Sequence, residues 1–202
     1  MPSVQAAESE LRSRLSEIVR RTPPLLRVLL VARRLCLPDW LVFSGAVYQP
    51  VLNHLTGRPI DHGIKDYDLA YFDASDLSYE AEDAVIRRVK AAFDEPLRSV
   101  VEVRNQARVH LWYPEKFGMP YPPAARATDG INRFLMTCAQ IGVRRVGRAY
   151  EVYAPNGFDD IERMVVRPNL TSNFRSDRYV EKAARWKSLW PELTILPAEI
   201  GD

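Results

Sequence analysis

The sequence predicts an α+β protein with an α/β-like core, in which helices flank a small mixed β-sheet. Amphipathic helical patterns come first, short apolar runs then alternate with helical patterns, and helical and hairpin patterns fill the rest. The length of 202 residues suits one domain. We therefore expect a single domain over residues 1–202, with N-terminal helices at 1–38, a core at 39–125 and a helical and hairpin appendage at 126–202.

Local signals justify the elements one by one. Leu15, Ile18 and Val19 recur at helical spacing, and Pro23 suits the first turn of a second helix. Ser78 is an N-cap residue before a strong helix, and Gly147 suits a hairpin turn. The expected elements are helices at 8–20 and 23–35, a strand at 40–45, a helix at 46–57, strands at 66–73 and 98–113 on either side of a helix at 74–93, a helix at 127–142, a hairpin at 143–155, and helices at 157–165 and 176–191.

Composition excludes several classes of protein. The chain is 47% hydrophobic and 27% charged with a net charge of +2, which is typical of a globular protein and gives no argument for a nucleic-acid coat. No run approaches about 18 apolar residues, and the N-terminus has no signal-peptide pattern, so we expect no membrane association. Cys36 and Cys138 are predicted to be reduced, buried thiols, which indicates a cytoplasmic protein.

Two acids interrupt a strand in "GIKDYDLAYFD", residues 63–73. Asp66 and Asp68 lie two positions apart, so both carboxylates point to the same face of the strand. Adjacent carboxylates repel each other unless a cation lies between them, and paired oxygen ligands suit Mg²⁺ together with substrate phosphates. Glu102 lies on the polar face of the 98–113 strand, and a neighbouring strand would bring it beside the aspartates as a third ligand.

A strand that ends in Ser44-Gly45 and leads into a helix precedes the acids by about 20 residues. Glycine lets the backbone approach a ligand closely, and the free N–H groups of a helix N-terminus favour phosphate. The pattern therefore predicts a phosphate-binding turn, although a plain strand-to-helix turn is the alternative.

This ordered set of motifs resembles the DNA polymerase beta-like nucleotidyltransferase superfamily, and within it a small bacterial family of nucleotidyltransferase-like proteins of largely unassigned function. The matching stretches lie within residues 40–193 and include "FSGAVYQPVLNHLTG", "GIKDYDLAYFD", "VEVRNQARVHLWY" and "RWKSLWPEL". In that family the helix after the glycine often carries Arg-Asn where this chain has Tyr48-Gln49.

The resemblance implies a nucleotidyltransferase fold and a two-metal site for Mg²⁺ or Mn²⁺. Asp66 and Asp68 would hold the metal ions, with Glu102 as the candidate third catalytic carboxylate. Ser44, Gly45 and Lys65 would bind the phosphates of a nucleoside triphosphate. The expected function is transfer of a nucleotidyl group to an acceptor that the sequence leaves open: a small molecule, an RNA end or a protein side chain. The alternative is an inactive nucleotidyltransferase fold that serves as a nucleotide-binding or protein-interaction module.

Structural interpretations remain open for several of these residues. Asp66 and Asp68 would also suit a strand-entry turn, and Glu102 would also suit a surface ion pair with Arg104 or Arg108. The "RNQAR" segment at 104–108 is either a phosphate- or base-contacting strand or a solvated strand face. Two aromatic residues on the last helix, Trp186 and Trp190, are predicted to pack in the core.

Overall fold

The computed structural model describes residues 4–171 and 173–198, with the side chains of residues 4–8, 11 and 12 outside that description. The elements over these residues are helices α1 (Val4–Arg21) and α2 (Pro23–Leu35), strand β1 (Leu41–Phe43), helix α3 (Gly45–Leu55), strand β2 (Tyr67–Tyr71), helices α4 (Tyr79–Lys90) and α5 (Leu97–Val100), strand β3 (Val101–Asn105), helices α6 (Val109–Phe117) and α7 (Thr128–Ile131), strands β4 (Gly142–Val146) and β5 (Ala149–Tyr153), helix α8 (Asp159–Glu162), strand β6 (Val165–Val166), helix α9 (Ser176–Leu189) and strand β7 (Thr194–Ile195).

The central sheet has the strand order β3-β2-β1-β4-β5. Strands β2 and β3 are parallel, whereas the other neighbours in this sheet are antiparallel. A second, smaller sheet pairs β6 with β7 in parallel. The predicted class, a small mixed sheet flanked by helices, is therefore confirmed. The 143–155 hairpin, which we expected in the appendage, pairs with β1 and so belongs to the central sheet.

Most of the core lies on one face of the sheet. Val42, Leu69 and Val103 point toward it, and the same cluster includes apolar residues from α1, α2, α3 and α9. The other face carries a small cluster of Leu41, Ala70, Ala127 and Ile131, so only part of it is covered by apolar packing. This difference between the faces leaves room for polar side chains on the second one.

The strand predicted at 98–113 is too long at both ends. The strand covers only Val101–Asn105, after a short helix, and α6 begins at Val109. Asn105 ends the strand because its side chain accepts a hydrogen bond from the Ala107 N–H at 3.1 Å and caps a 3₁₀ turn. Arg108 then turns inward to a buried ion pair with Glu82. It is therefore neither a ligand-contacting residue nor part of a solvated strand face.

The predicted helix at 127–142 is reduced to α7, at Thr128–Ile131, and a 3₁₀ turn at Thr137–Ala139. Side-chain amides take the place of the missing helical hydrogen bonds. Gln140 donates to the Asn132 carbonyl at 2.8 Å, and Asn169 donates to the Asn132 and Phe134 carbonyls at 2.9 and 2.7 Å. Because these carbonyls are satisfied without a helix, the chain follows an irregular path here.

Smaller sequence predictions had mixed outcomes. Pro50 lies inside α3 beyond its first turn, and Ser78 caps α4 by accepting a hydrogen bond from the Ala81 N–H. Trp186 and Trp190 are buried as predicted. Cys138 is buried, but Cys36 is exposed, because it lies at the C-cap of α2 in a left-handed conformation. None of the described helices is both long enough and apolar enough to cross a membrane.

Candidate functional site

The two acidic strands lie side by side. In the parallel pairing of β2 with β3, Asp68 lies opposite Glu102, and in the antiparallel pairing of β1 with β2 it lies opposite Phe43. Residues directly opposite each other on neighbouring strands share a face of the sheet. Asp68 and Glu102 therefore point to the same face, away from the main core, and Asp66 precedes Asp68 by two residues just before β2 begins.

The side chains do not converge as closely as the register allows. Glu102 has a side chain that is 52% exposed, and its carboxylate lies 3.9 Å from the Arg104 guanidinium. Among the residues that the structure describes, no three His, Cys, Asp or Glu side chains form a group that would hold a metal ion. Glu102 therefore lies beside Asp68 on the correct face, but its side chain leans toward Arg104.

Burial and like charge make Asp68 the most perturbed carboxyl group of this cluster. Burial, with Asp66 and Glu102 adding their negative charges, raises the pKa of Asp68 to about 7. Burial raises the pKa of Asp66 as well, and Glu102 adds to the effect. The three carboxylates thus repel one another electrostatically, and protein groups do not fully compensate their negative charge.

A divalent cation fits the two aspartates. Their oxygen atoms are the donors that Mg²⁺ and Mn²⁺ prefer, and magnesium sites commonly use one or two carboxylates plus substrate phosphates. The raised pKa of Asp68 has the direction expected of a carboxylate pair that lacks its cation. Asp66 and Asp68 are therefore the residues that would hold a metal ion, and Glu102 would join them only after its side chain turns from Arg104.

Two cations from the last helix approach the carboxylates. Lys182 and Arg185 lie on α9, and both act electrostatically on Asp66, while Lys182 also acts on Asp68. Burial lowers the pKa of Lys182, and the negative charge of Asp68 opposes that change. Neither residue was predicted from the sequence. Their i, i+3 spacing beside the buried Trp186 was the only signal, and it does not indicate which strand they face.

The strand-to-helix turn is strained at Ser44 rather than at Gly45. Ser44 has φ 62° and ψ −137°, a region that residues other than glycine rarely occupy, and its N–H donates to the Ile141 carbonyl at 3.1 Å. Gly45 is constrained by space, because a Cβ atom would lie 3.3 Å from the Gln49 side chain. Backbone strain of this kind clusters at ligand-binding sites and persists where the surroundings enforce it.

The remaining residues considered in the sequence lie around the carboxylate cluster or in the core behind it. Lys65 is exposed, and its charge acts weakly on Asp66. Tyr48 is buried, with its ring 4.6 Å from that of Trp186, and burial raises its pKa well above the usual value. Tyr48 and the buried Gln49 therefore pack inside the protein.

The loop before Asp66 is fixed by α3 and by the end of α9. The Asn53 side chain donates to the Ile60 and His62 carbonyls at 3.1 and 2.9 Å, and accepts a hydrogen bond from the Trp190 indole at 2.9 Å. Gly63 packs against Trp190 with φ 74°, and a Cβ atom would lie 2.7 Å from the indole ring. These contacts hold the backbone that leads into the acidic pair.

Comparisons with known proteins agree with this architecture. A family model described as nucleotidyltransferase matches residues 31–195. An NMR structure whose description reads that it reveals a CCA-adding enzyme head domain superposes with a TM-score of 0.73 at 23% identity, covering 90% of this chain and 94% of that chain. A likeness at this identity shows a shared fold. No curated protein matches the chain significantly.

Proposed function

The chain belongs to the nucleotidyltransferase family, and from that premise we propose that it is a metal-dependent enzyme that transfers a nucleotidyl group from a nucleoside triphosphate to an acceptor. One observation carries the proposal: Asp68 lies opposite Glu102 across two parallel strands, with Asp66 two residues earlier and pKa values raised at both aspartates. A carboxylate cluster on the partly covered face of a sheet, beside a turn that would bind phosphate, supports such a reaction.

Each residue has a role in this proposal. Asp66 and Asp68 would hold Mg²⁺ or Mn²⁺, which would supply positive charge beside the triphosphate and lower the pKa of the acceptor hydroxyl. Ser44, Gly45 and the free N–H groups that begin α3 would bind the phosphates. Lys182, Arg185 and Lys65 would stabilise the negative charge that develops on the leaving pyrophosphate. The acceptor oxygen forms a bond to the α-phosphorus while the bond to the β-phosphate oxygen breaks.

One observation supports the alternative, a nucleotide-binding module without turnover. The Glu102 carboxylate lies 3.9 Å from Arg104 rather than in a closed cluster with the aspartates. If Glu102 stays paired with Arg104 when nucleotide binds, the protein would bind the triphosphate without turnover. Location in the cytoplasm and a bacterial source stay predictions from the sequence.

Transfer from the α-phosphorus tests the proposal. Wild-type protein would be incubated with Mg²⁺, cell extract and each nucleoside triphosphate labelled at the α-phosphorus, and pyrophosphate release would be measured in parallel. We expect label in an acceptor and equimolar pyrophosphate, both lost in Asp68→Asn. In Glu102→Gln, turnover should fall at least about tenfold while nucleotide affinity changes little. Nucleotide binding without pyrophosphate release would support the binding module instead.

A further inference from the structure

A half-open cavity of about 440 Å³ lies between α6 and α9. Aromatic rings line one side of it, from Tyr113, Phe117 and Tyr121, and cationic side chains line the other, from α9. Volumes in this range are typical of ligand sites. The proposed function gives this cavity no role beyond Lys182 and Arg185.

The aromatic side, which we call the aromatic platform, is a cluster of rings tilted by 39° to 47° to one another. The Tyr113 ring lies 4.4 Å from that of Tyr121 and 4.6 Å from that of Phe117, measured between ring centres. The Arg133 guanidinium lies 4.2 Å from the centre of the Tyr121 ring and extends the platform with a planar cation. Rings and guanidinium planes arranged in this way stack on unpaired nucleic-acid bases.

The cationic side is a stripe along α9. Arg178, Lys182 and Arg185 follow i, i+4, i+7 spacing and line the cavity from one face of the helix. Among the described residues, no carboxylate lies within ion-pair distance of Lys182 or Arg185, and Arg178 pairs with Glu181 at a loose 3.6 Å. The stripe therefore presents positive charge that the protein itself does not neutralise.

Shared neighbours place the cavity near the carboxylate cluster. Lys182 lines the cavity and also acts electrostatically on Asp68. Phe134 lines the cavity as well, and its ring lies 5.2 Å from that of Phe43, the residue opposite Asp68 in the sheet. A ligand in the cavity would therefore end beside the proposed reaction centre.

Charge favours an occupant other than the donor nucleotide. Of the five cationic side chains in the lining, Arg175 is paired with Asp177, whereas among the described residues the other four have only the loose pair of Arg178 with Glu181. A triphosphate held by Lys182 and Arg185 would leave Arg133 and Arg178 without a phosphate contact, and one base would cover only part of the aromatic platform. We propose that the cavity binds the 3′ end of a single-stranded nucleic acid as the acceptor. This inference rests on the proposed function: the 3′-hydroxyl oxygen bonds to the donor α-phosphorus, pyrophosphate leaves, and the hydroxyl proton passes to a carboxylate of the cluster.

Binding of a single strand tests the inference. The probe is a fluorescein-labelled single-stranded RNA of about 12 nucleotides, compared by anisotropy with the same sequence as DNA and as a blunt duplex. We expect the protein to bind the single strand more tightly than the duplex. Its affinity for the single strand should fall as the salt concentration rises from about 50 to 200 mM. Arg133→Gln and Arg178→Gln should each weaken binding by about three- to tenfold. The control Arg148→Gln, which alters an exposed arginine in the β4–β5 turn, should not change it.

Titration with a non-hydrolysable nucleoside triphosphate and Mg²⁺ separates this inference from the proposed function. If Arg133→Gln and Arg178→Gln weaken triphosphate binding and leave RNA binding unchanged, the cavity holds the donor and the inference is overturned. The same holds if wild-type protein binds triphosphate but not the single strand. Strand binding without triphosphate binding would overturn the proposed function and keep the cavity assignment. Tighter binding of the RNA probe than of the DNA probe would identify RNA as the acceptor, and the reverse would identify DNA.

Discussion

At the scale of single residues, Asp68 determines how the free protein responds to pH. Its pKa of about 7 lies above the ordinary value of 3.8, so the folded state binds the proton more tightly than the unfolded chain. Stability from this group is therefore present at low pH and is lost as pH rises toward 7. A pKa shift of this size corresponds to about 4 kcal/mol in the free energy of unfolding. Partial solvent contact of the carboxyl group reduces this contribution to about 1 to 3 kcal/mol.

We expect Asp68→Asn to stabilise the metal-free protein by about 1 to 3 kcal/mol at pH about 8, and to have almost no effect near pH 4. Urea unfolding in the presence of a chelator at both pH values measures the difference. Asp94→Asn, at an exposed acid outside the site, is the matched control. A stabilisation that is equal at the two pH values would show that Asp68 is not crowded by its neighbours.

At the scale of elements, the loop between α3 and β2 fixes the direction in which the acidic pair enters the sheet. Gly63 and Gly57 both have positive φ, but only Gly63 touches Trp190, since nothing lies within 4 Å of a Cβ atom at Gly57. Alanine substitutions at the two glycines therefore distinguish the stability cost of backbone strain from the cost of a steric clash.

Gly63→Ala should cost about 2 to 3 kcal/mol of stability, whereas Gly57→Ala should cost about 1 kcal/mol, because the second variant has only the left-handed strain. Urea unfolding at neutral pH compares the two. Equal losses would mean that Trp190 gives way freely and does not hold the loop.

Local patterns predicted most of these elements, and tertiary contacts explain the exceptions. Period-two alternation predicted a strand around Glu102 and assigned it to the polar face, and both are correct because faces alternate residue by residue. The same alternation was misleading after Asn105, where a side-chain cap and the buried Arg108–Glu82 pair end the strand. The Arg108–Glu82 pair has no local signature, because Glu82 lies 26 residues away on α4.

At the scale of the whole molecule, the sheet order assembles a site from distant parts of the chain. The acidic pair precedes Lys182 and Arg185 by more than 100 residues, and only the packing of α9 brings them together. The sequence predicted the acidic residues from motif and spacing. It did not predict the cations or the aromatic cavity, because helical spacing shows which residues share a face but not what that face meets.

Mn²⁺ titration followed by electron paramagnetic resonance measures whether Asp66 and Asp68 bind a divalent cation, as we propose. Wild-type protein should bind Mn²⁺, and a non-hydrolysable nucleoside triphosphate should tighten the binding because its phosphates complete the coordination. Asp66→Asn and Asp68→Asn should each weaken binding at least about tenfold while keeping the thermal unfolding transition, and Asp94→Asn should bind as wild type does. Equal Mn²⁺ affinity in wild type and both site variants, with and without nucleotide, would show that the two aspartates do not hold the ion.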